Sequence, residues 1–89
     1  MKIKAGFILK QIAGKTVAVP AGESLVNLQL MLTLNESGAF LWEQLQNPCS
    51  EDDLVKAMTS EYQVDAETAR GDVQEFIAVL KENQILDEA

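Results

Sequence analysis

The sequence predicts an α+β, winged-helix-like domain in which a three-stranded antiparallel sheet is followed by three helices. Three observations carry this reading. Two β-prone runs flank Ala13-Gly14 at hairpin spacing, and the stretch from Val26 to Leu34 alternates apolar with polar residues. After Leu34 the apolar residues recur at intervals of three and four, in segments opened by Asn35, Ser50 and Asp65. At 89 residues the chain is expected to form one domain, residues 1–89, with a modest core and little room for an enclosed catalytic pocket.

The first strand, residues 6–12, contains FILKQI, and the second, residues 15–19, is KTVAV. Ala13-Gly14 between them suits a tight hairpin turn, with glycine supplying a positive φ, and Pro20, Ala21 and Gly22 end the second strand. The third strand, residues 26–33, sets Val26, Leu28, Leu30 and Leu32 on one face against Asn27, Gln29, Met31 and Thr33 on the other. Its period of two is the mark of a half-buried strand.

The rhythm then changes. Asn35 caps a helix over residues 35–46, with Gly38, Leu41, Trp42 and Leu45 on one stripe, and Pro48 keeps that helix from continuing. Ser50 opens a second helix, residues 50–62, in which Asp53 completes a capping box and Leu54, Val55, Met58 and Tyr62 face inward. Asp65 opens a third, residues 65–83, with Val73, Phe76, Ile77 and Leu80 on one face. Ile85 and Leu86 are expected to fold back onto the core.

Charge and composition exclude whole classes of function. The net charge is −7, and it is uneven: Lys2, Lys4, Lys10 and Lys15 make the first third mildly basic, while the acids concentrate from Glu51 onward. A phosphate backbone or an anionic membrane would be repelled by that half, so neither nucleic acid nor membrane is an expected partner. A DNA-binding winged helix is disfavoured because the would-be recognition helix carries Glu67, Asp72, Glu75 and Glu82 against Arg70 and Lys81. Histidine is absent and Cys49 is the only cysteine, which leaves no disulfide framework, no usual zinc site and no Cys-His nucleophile. The carboxylates sit where helix starts and solvated faces want them. No catalytic constellation, metal or cofactor is expected. The N-terminal MKIKAGFILK has lysines breaking its apolar residues and does not read as a signal peptide, so a cytoplasmic location is expected.

What remains is an edge. In a three-stranded meander at least two strands leave one border unpaired, and natural sheets usually guard such a border with lysine, proline or a bulge. From Val26 to Leu34 there is no charge, proline or glycine. Either the chain or a dimer mate covers that edge, or another peptide adds to it as a strand.

The segments LNESGAFLW (Leu34 to Trp42) and DVQEFIAVLKENQIL (Asp72 to Leu86) resemble the PqqD-like family, also called RiPP recognition elements. The first is similar to the family's Leu-Asn-x-(Ser/Thr)-(Gly/Ala) junction, the second to its last helix and apolar tail. The resemblance implies a non-enzymatic chaperone that binds the leader of a ribosomally synthesised precursor peptide and presents it to a modifying enzyme, often a radical SAM enzyme. It implies that the leader adds antiparallel to the third strand, pairing with Asn27, Leu28, Gln29, Leu30, Met31, Leu32 and Thr33. Arg70, Val73 and Ile77 of the third helix are the side chains it would place beside the leader. The alternative is an adaptor or homodimerisation module using the same edge.

Overall fold

A computed structural model describes residues 1–20 and 32–87. Its elements in chain order are β1 (Lys2–Ile3), β2 (Phe7–Ile12), β3 (Lys15–Pro20), β4 (Leu32–Leu34), α1 (Glu36–Gln44), α2 (Glu51–Glu61), α3 (Ala66–Glu82) and β5 (Leu86–Asp87). Strands β2, β3 and β4 form a three-stranded antiparallel sheet with β3 in the middle, and the three helices follow it, as the sequence pattern predicts. Of the expected third strand, residues 26–31 lie outside the described residues. Its described end is Leu32–Leu34, one residue beyond the expected limit.

The β2–β3 turn has positive φ at both central residues, Ala13 at 53° and Gly14 at 80°. That is the type I′ geometry whose twist matches a hairpin, so alanine as well as glycine enters the left-handed region. All three caps form. The Asn35 carboxamide accepts from the Gly38 amide at 2.8 Å. Ser50 and Asp53 make the reciprocal capping box, at 3.1 and 3.0 Å, and Asp65 accepts from the Thr68 amide at 2.7 Å. Helix α1 stops at Gln44, two residues short of the expected end, with Leu45 as its C-cap.

The core joins the inner face of the sheet to one stripe from each helix. Ala18 and Leu34 meet Leu41, Trp42 and Leu45 of the α1 segment, Leu54, Val55 and Met58 of α2, and Ala69, Val73, Ile77 and Leu80 of α3. Trp42 is a core residue, and Phe7 meets it edge-on with ring centroids 6.5 Å apart. Helix α3 ends in a Schellman turn: the Gln84 amide donates to Lys81 O and the Ile85 amide to Leu80 O, with Gln84 at a φ of 58°. The turn sends Ile85 and Leu86 back into the core, where they are 1% and 7% exposed.

Two short strands have no counterpart in the sequence reading. β1 pairs antiparallel with β5, Lys2 opposite Asp87 and Ile3 opposite Leu86, so the two ends of the described chain close on each other. Further backbone bonds from Ile3 to Leu45 O and from Lys4 to Ile85 O hold the N-terminal strand across the helices. A two-residue strand carries no alternation to read, which is why these were missed.

Candidate peptide-binding groove

The orientation of β4 follows from counting along the hairpin. Ile12 and Lys15 flank a two-residue turn and therefore exchange both their backbone hydrogen bonds. Bonded and non-bonded pairs alternate from there, so Lys15, Val17 and Val19 present their backbone groups to β2, while Thr16 and Ala18 present theirs to β4. Pro20 fits this alternation, since it sits opposite Phe7 at a non-bonded position where no N–H is needed. In the β3–β4 ladder Thr16 opposes Leu34, Val17 opposes Thr33 and Ala18 opposes Leu32. Leu32 and Leu34 are thus the bonded residues, and the N–H and C=O of Thr33 point away from β3. Among the described residues no strand pairs with that side of β4.

That border opens on a groove. A cavity of about 610 Å³ is lined on one side by Leu32, Thr33, Leu34 and Asn35 and on the other by Asp72, Glu75, Phe76 and Val79 of α3. Ser37, Gly38 and Leu41 of α1 also line it, as does Lys15 from the hairpin. Gly38 has a local reason to be there. A β-carbon on it would meet Phe76 Cε1 at 3.4 Å and the capping oxygen of Asn35 at 3.0 Å, so glycine allows the cap and the aromatic ring to close over the start of α1.

The side chains that the family resemblance places beside the leader fall differently. Val73 is 0% and Ile77 8% exposed, both within the core. Arg70 is held by Glu51 and Asp52 of the first turn of α2, on the side of α3 that packs against α2. None of these three lines the groove. Val73 and Ile77 belong to the buried stripe Ala69, Val73, Ile77, Leu80, whereas Asp72, Phe76 and Val79 of the groove face each precede Val73, Ile77 and Leu80 by one residue, about 100° around the helix, with Glu75 beside them. Periodicity places Phe76 on one face with Val73, Ile77 and Leu80, but it does not separate the residue that overlooks a strand from those that meet the core. Of the expected strand residues, Leu32 and Thr33 border the groove, while Asn27, Leu28, Gln29, Leu30 and Met31 lie outside the described residues.

Cys49 lies outside this groove, in the loop between α1 and α2, where its backbone pairs with Met1 in both directions. Burial first, and the charge of Asp53 second, push its thiol up, with the N-terminal ammonium opposing them. Among the described residues no group of three or more histidine, cysteine, aspartate or glutamate side chains is placed to hold a metal ion. No helix among them is long and apolar enough to cross a membrane.

Fold and groove together define a winged-helix-like domain in which a strand border, unpaired among the described residues, faces a helix. Residues 24–86 match the family described as Coenzyme PQQ synthesis protein D (PqqD), and the chain belongs to that family. It is also similar to two solved structures. One, described as TbiB1 in complex with the TbiA(beta) leader peptide, has a TM-score of 0.74 at 22% identity, covering 100% of this chain and 98% of that one. The other, lasso peptide synthetase B1 complexed with the leader peptide, has a TM-score of 0.69 at 23% identity, covering 94% and 93%. At that identity the likeness is one of fold. No curated protein matches the chain.

Proposed function

We propose that this chain is a non-catalytic chaperone that binds the leader of a ribosomally synthesised precursor peptide by strand addition to β4 and presents the precursor to a modifying enzyme. The observation that carries this reading is the backbone of Thr33, turned away from β3 and bordering a groove walled by α3. A strand laid there would satisfy those groups through its own main chain, while its side chains meet Leu32, Phe76 and Val79. Family membership supports the reading, as do the leader peptides held by two proteins of the same fold. The modifying enzyme is of the radical SAM class, and the encounter takes place in the cytoplasm. Reading the genes beside this one should reveal a short precursor and that enzyme.

The test is a pair of proline substitutions. Thr33→Pro removes the outward N–H of β4 and should weaken binding of the encoded leader by about 5- to 150-fold, the scale of one hydrogen bond left unmade, about 1–3 kcal/mol. Leu34→Pro removes a bond to β3 and should lower the melting temperature instead. A Thr33→Pro chain that binds the leader as tightly as the wild type would refute strand addition here.

A further inference from the structure

Resting on the strand-addition reading, the geometry points to a cationic leader: a lysine or arginine standing over Asp72 and Glu75, with an apolar side chain two residues away seated on Phe76 and Val79. The groove-facing side of α3 divides into two levels. Asp72 and Glu75 are exposed and join none of the ion pairs among the described residues. Phe76 and Val79, half-buried, form the next level. The two levels are centred four residues apart on the helix, about 6 Å at a helical rise of ~1.5 Å per residue. An extended strand repeats its same-face side chains at about 6.6 Å, so neighbouring same-face residues of a leader that runs along α3 fall opposite the acidic and the apolar level in turn.

The charge balance favours one sign. Arg70, the cation on α3 nearest in sequence to these acids, is already engaged by Glu51 and Asp52, and among the described residues that line the groove Lys15 is the one cation against two carboxylates. An acidic leader residue at the first level would face two like charges with no counter-ion from α3. A basic residue there gains both carboxylates while leaving the main-chain pairing with Thr33 unchanged. The acids therefore set which strand is accepted, and the edge sets that a strand is accepted at all.

A phage-displayed library of random twelve-residue peptides, selected on the intact chain, separates these two levels of claim. The expected winners carry Lys or Arg two positions from Leu, Ile, Val, Phe or Met, and are lost on the Thr33→Pro chain. On the Asp72→Lys/Glu75→Lys chain, whose changes are both at exposed positions, the preference should switch to Asp or Glu at the same position. Synthetic copies of the winners should bind the wild type about 3- to 10-fold more weakly when the basic residue becomes Gln, and raising the salt should shrink that difference. Winners that depend on the Thr33 amide but show no basic excess would overturn the charge inference and leave strand addition standing. Winners indifferent to Thr33→Pro, or no winners, would overturn both.

Discussion

The ring of Phe76 closes over Gly38, its Cε1 lying 3.4 Å from the point where a side chain would begin on that glycine. This contact joins the helix that starts directly after β4 to the helix that walls the groove. Alanine is ordinarily favoured over glycine within a helix by up to about 1 kcal/mol. Here Gly38→Ala should instead cost about 0.5–1.5 kcal/mol, because the new methyl crowds the Asn35 cap at 3.0 Å as well as the ring. Urea unfolding measures the sign, and a more stable variant would show that cap and ring relax freely.

Opposite sides of α3 should separate in binding. Phe76→Ala removes the aromatic wall of the groove and is expected to weaken leader affinity by about tenfold or more, as loss of an anchoring aromatic typically does. Arg70→Gln breaks the contacts with Glu51 and Asp52 on the α2 side and should change affinity by less than about twofold, since exposed ion pairs contribute little and these face away from the leader. Titration of both variants with one labelled leader, alongside their melting temperatures, makes the comparison.

Among the described residues two other than glycine occupy the left-handed region, Ala13 at the hairpin and Gln84 at the end of α3. Ala13→Asn and Gln84→Gly should each stabilise the chain by about 0.5–1 kcal/mol, because asparagine tolerates that region better than alanine and glycine, with no β-carbon, enters it without strain. Equilibrium unfolding should show gains that add, the sites being at separate turns. A loss at Gln84→Gly would mean that the glutamine side chain contributes more than its backbone strain costs.

Local chemistry explains what was legible before the fold was known. Asn35, Ser50 and Asp65 announce helix starts because an N-cap is a bond between a side chain and an amide two or three residues away, and Ala13-Gly14 announces a hairpin for a similarly local reason. The β1–β5 pairing joins Lys2 to Asp87, so no local pattern records it. The outward direction of Thr33 needed the register with β3, counted from the turn. The periodic stripe Val73, Phe76, Ile77 and Leu80 mixes two surfaces of α3, since Phe76 lines the groove while the other three are buried, and spacing alone does not separate them. The family resemblance places Arg70 beside the leader, and only the packing of α2 on α3 reveals its partners Glu51 and Asp52.

Acid should loosen the helix starts. The Ser50 amide first, and its hydroxyl second, hold the Asp53 carboxyl below its ordinary value; the Thr68 amide and hydroxyl do the same for Asp65. A carboxyl with a depressed folded-state pKa contributes stability that is complete above its unfolded value and fades as pH falls through the folded one, so the loss should lie below about pH 4. Asp53→Asn and Asp65→Asn keep a capping oxygen without the titrating charge. Melting curves followed by circular dichroism between about pH 5 and pH 2.5 should therefore fall less steeply for each variant than for the wild type. Equal slopes would show that these caps do not govern the acid response.

The central claim is that the backbone of Thr33 is where a visiting peptide pairs, and amide exchange followed by NMR reads it directly. With the leader bound, the Thr33 amide should exchange at least about tenfold more slowly than in the free chain, while Leu32 and Leu34, already bonded to β3, change much less. A Thr33 amide that exchanges at the same rate with and without the leader would contradict the account.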